Sequence, residues 1–312
     1  MSSKTTGKQS LSGIFMLTLC AFIWGTAFIA QSVGGEYAEP LTFNFARGVL
    51  ATIFLTGCCL LFDKMQGKRP TILGSDDPMY KERLIKGGVT CGVFLTLACF
   101  LQQLGIMYTT VGKSGFITAL YIVLVPILSY IVFRRSVTLL QGVSVGIAAV
   151  GMYFICINEG FSINKGDLYT LACAFCFAAQ IICIENIIQG LDGVRLSLIQ
   201  FATSAVLNGI LMFIFETPSL ASLLAGWAPV AYAGIMSSGV AYTLQIVGQK
   251  HVSSVLACML MSLESAFALL SGWILLGQAM STREIFGCGL VFAAILLAQV
   301  PEEMLGLGKK KA

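Results

Sequence analysis

The sequence predicts an all-α polytopic membrane protein, with ten transmembrane helices arranged as two inverted five-helix repeats. Three observations carry that prediction: an apolar composition, a one-sided distribution of basic residues among the connections, and an internal similarity between the two halves. Of the 312 residues, 57% are hydrophobic and 11% charged, and mean hydropathy is +0.86. Soluble domains carry about 25% charged residues. At ~20 residues per bilayer-spanning helix, ten helices take roughly two-thirds of such a chain and leave short connections.

Apolar runs between polar breaks place the helices at 12–32, 41–62, 84–107, 112–132, 138–157, 166–188, 196–216, 228–249, 253–276 and 283–300. The first run follows Lys4 and Lys8, as in a signal peptide, but it is long enough to span and further spans follow at once. Glu36, Glu39 and Pro40 part the first helix from the second, and the polar stretch Asp63 to Arg83 parts the second from the third. Lys113 opens the fourth and Arg134-Arg135 close it. Asn158-Glu159-Gly160 end the fifth, and Gly190 to Arg195 separate the sixth from the seventh. Pro218, Lys250-His251 and Gln278 to Thr282 supply the remaining breaks.

These connections sort the basic residues. The N-terminus, alternate loops and C-terminus on one side hold 15 of the 19 Lys and Arg, including Lys64, Lys68, Arg134, Arg135, Arg195, Lys250 and Lys309 to Lys311. The other side holds Lys113, Lys165 and Arg283, and Arg47 lies inside a span. The positive-inside rule then puts both termini in the cytoplasm of a multi-pass protein of the plasma or inner cell membrane. The net charge of +4 is spread over loops with no basic stripe interleaved with aromatics, so no nucleic-acid partner is expected. All eleven Cys fall in apolar runs, which reads as packing and not as a disulfide framework.

Slid against itself, the chain matches at two offsets. At 153 residues, Gly13 meets Gly166, Cys20-Ala21-Phe22 meet Cys173-Ala174-Phe175, and Ile29 meets Ile182. From residue 101 the offset becomes 143: Leu101-Gln102 meet Leu244-Gln245, Gly105 meets Gly248 and Leu120 meets Leu263. The change falls where the loop Asp63 to Arg83 is longer than its counterpart Thr217 to Trp227, so one loop-length difference explains it. Each repeat, 11–157 and 166–301, holds five helices. Five is odd, so the second repeat enters the bilayer from the opposite side, the plan from which many secondary transporters are built around a midplane site.

Specific segments sharpen this. Leu19-Cys-Ala-Phe-Ile-Trp-Gly-Thr-Ala-Phe28, Phe43-Asn-Phe-Ala-Arg47, Gly115-Phe-Ile-Thr-Ala-Leu-Tyr-Ile-Val-Leu-Val-Pro126 with Arg134-Arg135, and Ser262-Leu-Glu-Ser-Ala-Phe267 leading to Gly272-Trp-Ile-Leu-Leu-Gly277 resemble the drug/metabolite transporter superfamily with two EamA-type repeats. The resemblance covers about residues 11 to 300. It departs at Ser265, where the family commonly has Pro, and at Gln278, where it commonly has Glu. It implies export or exchange of small metabolites by alternating access, with substrates that vary widely between members.

A charge at the centre of a membrane helix costs at least ~2.5 kcal/mol on insertion, so each polar group inside a span needs a reason. Glu264, midway along the ninth helix, can bind and release a proton, pair with a cationic solute group, or hold two helices together. Tyr121 is its partner under the 143 offset, and the two are expected to face each other near the pseudo-two-fold axis. Arg47, about 10 Å deep in the second helix, can grip a carboxylate, snorkel to the headgroups or form a structural ion pair. Gln102, Gln103, Gln180 and Gln245 can bind solute or bond between helices. Trp24 and Phe177, matched in the repeat, suit a cavity wall or a packed core. The transport path is therefore assigned to Glu264, Tyr121, Arg47, Trp24, Gln180, Gln103 and Gln245. Lys113 reads as interfacial, and Asp167, near the outer start of the sixth helix, as reaching water or a helix N-terminus. Pro126 should bend the fourth helix, and Gly142 and Gly146 offer a small-residue face for packing or a homodimer.

No chemistry of another kind is indicated. Cys173 and Cys176 lie on an apolar helix without a second ligand pair, so no metal is expected. No GxxxxGK[ST], HExxH or GxSxG segment occurs, so ATP-driven transport, hydrolysis and cofactors are not expected. The partners are then the bilayer and a small-molecule solute. A sugar-phosphate or nucleotide-sugar exchanger of the same fold is the nearest alternative, weakened by the lack of buried cations beyond Arg47. An intramembrane enzyme is the alternative from another class, and it would need more than one deeply placed acid or His.

Overall fold

The computed structural model describes residues 11–134, 139–156, 164–188, 190–249, 260–298 and 300. Lys4, Lys8, Arg135, Asn158 to Gly160, Lys250, His251, Cys258 and Lys309 to Lys311 of the sequence reading lie outside the described residues. The molecule is all α-helical. The first three spans are α1 (Leu11–Gly34), α2 (Pro40–Met65) and α3 (Pro78–Ile106). The third helix starts several residues before the expected 84, because the Asp77 side chain accepts from Met79 N and Pro78 sits in the first turn.

The fourth span is two helices, α4 (Val111–Thr118) and α5 (Tyr121–Phe133). Between them the backbone tightens: Leu120 N bonds to Ile117 O, Ile122 N to Ala119 O and Val123 N to Leu120 O, at 3.2, 3.1 and 2.9 Å. These three-residue bonds interrupt the helix at Ala119–Leu120. The interruption lies beside Tyr121, where the bend from Pro126 is expected, and Pro126 itself lies within α5. The fifth to seventh spans are α6 (Leu139–Cys156), α7 (Lys165–Ile187) and α8 (Gly193–Phe215).

A short helix, α9 (Leu220–Ala225), fills the connection to the eighth span. That span starts as α10 (Trp227–Ala231), continues as ten residues of π-helix (Tyr232–Ala241) and ends as α11 (Tyr242–Gln249). The described part of the ninth span turns at Ser262, where Ser265 N reaches Ser262 O at 3.2 Å, and then runs as α12 (Leu263–Leu276). The tenth is α13 (Thr282–Ala298). Six stretches of the described chain are long and apolar enough to cross a bilayer, one of them running from α4 into α5, and shorter apolar helices cover Gly142–Ile155 and Leu263–Leu276.

The two repeats interdigitate. α2 packs on α8 and α6 on α13, each helix against its own repeat counterpart. α3 packs on α7, and the mirrored contact is made by the π stretch and α11 on α1. α1 packs on α12, as α7 does on α4 and α5. Gly25 makes the α1–α12 contact close: a Cβ there would lie 2.8 Å from the backbone oxygen of Glu264.

Two polar clamps tie α2 to α8 at their opposite ends. Glu216, just past α8, accepts from Leu41 N, Thr42 N and Thr42 Oγ1 at 2.7, 2.7 and 2.8 Å, which caps the start of α2. At the other face Arg195, in the first turn of α8, donates from Nη2 to both oxygens of Asp63 at 2.6 and 2.7 Å and pairs through Nη1 with Asp192. Asp63 further accepts from Thr71 N at 2.9 Å. The 153-residue offset maps Asp63 onto Glu216 and Thr42 onto Arg195. The same contact thus occurs twice, inverted, once at each end of the pair.

The outward faces are apolar. Gly142 and Gly146 of α6 have no atom near enough to meet an added methyl group, so the expected small-residue stripe is not used for packing within the chain.

Candidate transport site

Where the two broken spans pass each other the molecule holds a central cavity of ≈ 60 Å³, within ≈ 570 Å³ of non-atom space that includes its mouth. The smaller volume admits a few water-sized molecules. Six repeat-related pairs line it: Trp24 with Phe177, Ala27 with Gln180, Phe28 with Ile181, Cys99 with Tyr242, Gln102 with Gln245, and Tyr121 with Glu264. Gln31, Arg47, Thr118 and Ser237 complete the wall. A cavity whose wall repeats under both offsets straddles the pseudo-two-fold axis, as an inverted repeat requires.

Glu264 enters on the first turn of α12, 4% exposed. Tyr121, first residue of α5, donates its hydroxyl to the Glu264 carboxyl, while Glu264 Oε1 has no hydrogen-bond partner. Each residue lies two places past the start of its span's interruption, Ala119 or Ser262, so both side chains project at the level where regular backbone bonding lapses. Tyr121 also meets Phe177 edge-on, centroids 6.5 Å apart.

Arg47 turns inward. It is 5% exposed, and its Nε and Nη2 donate to Ser238 Oγ at 3.3 and 3.1 Å. Among the described residues Arg47 makes no ion pair, and its side chain is buried in the protein and not turned out toward headgroups. The π-helix explains the placement: Ser238 Oγ donates to Ala233 O, five residues back, at 2.9 Å, and so presents its lone pairs to the guanidinium. Gly234 lets the same stretch approach the backbone of Arg47, its built Cβ lying 3.0 Å from Arg47 O. Trp24 is fixed by the neighbouring carbonyl, Nε1 donating to Ser237 O at 3.2 Å, and stacks edge-on against Tyr242 with centroids 5.1 Å apart.

Gln180 lines the cavity and donates to Gln200 Oε1, the repeat counterpart of Arg47, at 3.1 Å. Gln245 lines it as well. Gln103 does not. It is fully buried away from the cavity, with Nε2 donating to Gln31 O at 2.7 Å, and so ties α3 to α1. Its neighbour Gln102 faces the cavity and lies 3.4 Å from Thr118 Oγ1. The sequence reading missed Tyr242, Ser237 and Ser238. Tyr242 was available as the repeat counterpart of Cys99, whereas the serines matter through a π-helix that no residue pattern announced.

Lys113 and Asp167 each lie in the first turn of a span, Asp167 at a helix N-terminus as one of the two expected placements had it, but both are buried in the protein. Lys113 is 9% exposed and pairs with Glu284 at 2.5 Å, joining α4 to α13. Asp167 is 1% exposed and accepts from Thr109 Oγ1 at 2.5 Å. Close by, Gln278 Oε1 caps Val111 N at 2.9 Å, so the residue standing where the resembled family has Glu latches the end of α12 to the start of α4. Among the described residues no group of His, Cys, Asp and Glu could hold a metal ion.

Opposed five-span halves around one shared cavity define the class: an inverted-repeat, multi-pass membrane protein of the kind that moves solutes. Comparison with known proteins supplies the family. The EamA-like transporter family matches residues 11–157 and again 164–299. The chain belongs to this family and is a membrane transporter. An uncharacterized transporter of Archaeoglobus fulgidus is 27% identical over 294 residues, which is 94% of this chain and 88% of the relative. A protein of known crystal structure superposes with a TM-score of 0.66 over 92% of this chain and 96% of its own, at 16% identity, a likeness of fold alone.

Proposed function

We propose that the protein exports or exchanges small organic metabolites by alternating exposure of the central cavity, with Glu264 as the proton-binding group that couples transport to a proton gradient. One observation carries this reading: Tyr121 and Glu264 are repeat counterparts, each placed by an interruption of its span, and they meet in the cavity shared by the halves. A carboxyl with one oxygen committed to Tyr121 and the other unpartnered can take a proton on one side of the membrane and release it on the other. The small cavity admits a metabolite when the helices part, which alternating access entails. The reading places the protein in the cell membrane with both termini in the cytoplasm, and the 15 basic residues of one face support that orientation.

Arg47 is the one cation lining the cavity among the described residues. That disfavours the polyanionic solutes of a sugar-phosphate or nucleotide-sugar exchanger.

The test is solute counterflow in proteoliposomes at several pH values. Wild-type transport should vary with pH, and Glu264→Gln should flatten that dependence while leaving the melting temperature close to wild type. A pH profile unchanged by the substitution would falsify the coupling role. Tags at Met1 and Ala312 should both be accessible from the cytoplasm, and tags on different faces would refute the topology.

A further inference from the structure

The outward side of α2 and α8 carries a groove of ≈ 460 Å³, apart from the central cavity. Its origin lies in the side chains of the two helices. They approach closely at Gly48, whose built Cβ would lie 3.2 Å from that of Ala205, and they are tied again toward the other end by Arg195 and Asp63. Between these contacts α2 presents Thr52 and Thr56, and α8 presents Ala202 and Thr203, side chains too short to close the gap. Thr71 N, bonded to Asp63, sets the next residue, Ile72, against the clamped end of the groove.

The wall is apolar although it contains three threonines. Thr52 Oγ1 donates to Gly48 O, Thr56 Oγ1 to Thr52 O and Thr203 Oγ1 to Ile199 O, at 2.7, 2.7 and 2.8 Å. Each hydroxyl is committed within its own helix, so the groove is walled by methyl groups and calls for an apolar occupant. Along α8 it runs from Leu198 to Leu207, about 13 Å at ~1.5 Å rise per residue. That matches the depth of one leaflet, half of a hydrocarbon core of ~30 Å. The clamped end is basic. Lys64 adjoins Asp63, and Lys68 and Arg69 lie in the connection that leads to Ile72. All three are exposed and make no ion pair among the described residues. With Arg195 they set four positive charges against the two negative ones of Asp63 and Asp192. A positive surplus at the mouth of an apolar, leaflet-deep groove suits a phosphate head above an acyl chain.

We propose that this groove binds one anionic phospholipid, an acyl chain lying between α2 and α8 and the phosphate held by Lys64, Lys68 and Arg69. On the orientation given above the lipid comes from the cytoplasmic leaflet. The site is separate from the transport path and stands whatever the solute. Because α2 belongs to the first repeat and α8 to the second, a bound lipid fastens the halves together beside the Arg195–Asp63 clamp.

The test uses the full-length protein, stripped of lipid in detergent, and three probes: dioleoyl phosphatidylglycerol, dioleoyl phosphatidylcholine, and glycerophosphoglycerol, which has the anionic head and no chains. Thermal stabilisation reports binding. Phosphatidylglycerol should stabilise at concentrations about fivefold or more below those phosphatidylcholine needs, the worth of one basic side chain near a membrane surface. The head alone should not stabilise. Replacing Lys64, Lys68 and Arg69 together by Gln should erase the preference between the two lipids. Ala202→Phe, which fills the groove, should weaken both, whereas Thr56→Val, which loses only a hydroxyl turned to its own helix, should leave binding level. Phosphatidylglycerol with a photoreactive diazirine in its chain locates the site on the wild type, independently of how any variant folds. Its adducts should concentrate on residues 52–56 and 198–207. The proposal is overturned if adducts spread evenly over the outward helices, if the wild type binds the two lipids alike, or if the chainless head stabilises as well as the lipid.

Discussion

The fourth and ninth spans are interrupted at positions that the 143-residue offset brings into register, Ala119–Leu120 and Ser262, yet two places past the start of the break stands a phenol in one and a carboxyl in the other. The same division holds elsewhere. Arg47 has Gln200 as its counterpart, and the π-helical Tyr232–Ala241 corresponds to regular helix in α3. Breaks, clamps and packing partners obey the repeat, whereas the charged residues of the cavity wall depart from it. Duplication is read in the frame, and divergence in the one acidic and one basic residue of the cavity wall.

The comparison is broken most forcefully at Tyr121 and Glu264. If the phenol positions and the carboxyl carries, Glu264→Ala should lower initial transport rates in proteoliposomes about a hundredfold, the upper range for a buried charge-assisted contact, and Tyr121→Phe only severalfold. Equal losses in the two variants would mean that the pair acts as one structural hydrogen bond. A second pair tests the frame. Gly25 and its counterpart Ala178 occupy the same place in α1 and α7, but Gly25 faces the backbone oxygen of Glu264. Gly25→Val should destabilise by about 1–3 kcal/mol through overpacking and displace Glu264, whereas Ala178→Gly should cost about 1 kcal/mol with transport retained. Melting curves read beside transport separate the two outcomes.

Much of the frame was legible in the sequence, because apolar runs, one-sided basic residues and a repeat are properties of residues in order. The repeat also located the meeting of Tyr121 with Glu264. It did not choose between Gln102 and Gln103. Adjacent helical positions differ by about 100° of rotation, and which one faces inward is decided by how α3 packs. A closer use of the offset would have chosen, since Gln102 and not Gln103 is matched to a glutamine. The inward turn of Arg47 had no such signal, because it depends on a π-helix formed by ordinary small and apolar residues.

The clamps of α2 on α8 allow a finer comparison, since one is an ion pair and the other a helix cap. Glu216→Gln retains an acceptor but loses its charge at the start of α2, and should cost about 1 kcal/mol, the typical worth of a cap. Arg195→Gln should lower the melting temperature further, because it leaves Asp63 and Asp192 facing each other without the guanidinium. The two sites sit at opposite ends of a 26-residue helix, so the double variant should show the sum of the single effects to within about 0.5 kcal/mol. A clear departure from additivity would mean that the ends of α2 communicate through the bilayer.

The smallest effect falls on the π-helix. Ser238→Ala removes the hydroxyl that holds Arg47 and the bond to Ala233 O. The main-chain spiral does not need that bond, so stability should fall by about 1 kcal/mol. The guanidinium, however, loses the neighbour that orients it, and affinity for carboxylate-bearing solutes should drop severalfold while affinity for their carboxamides stays level. The measurement is a pair of binding curves on one variant. Parallel losses for both solutes would assign Ser238 to packing alone and leave the departure of the eighth span from its repeat counterpart without a role in recognition.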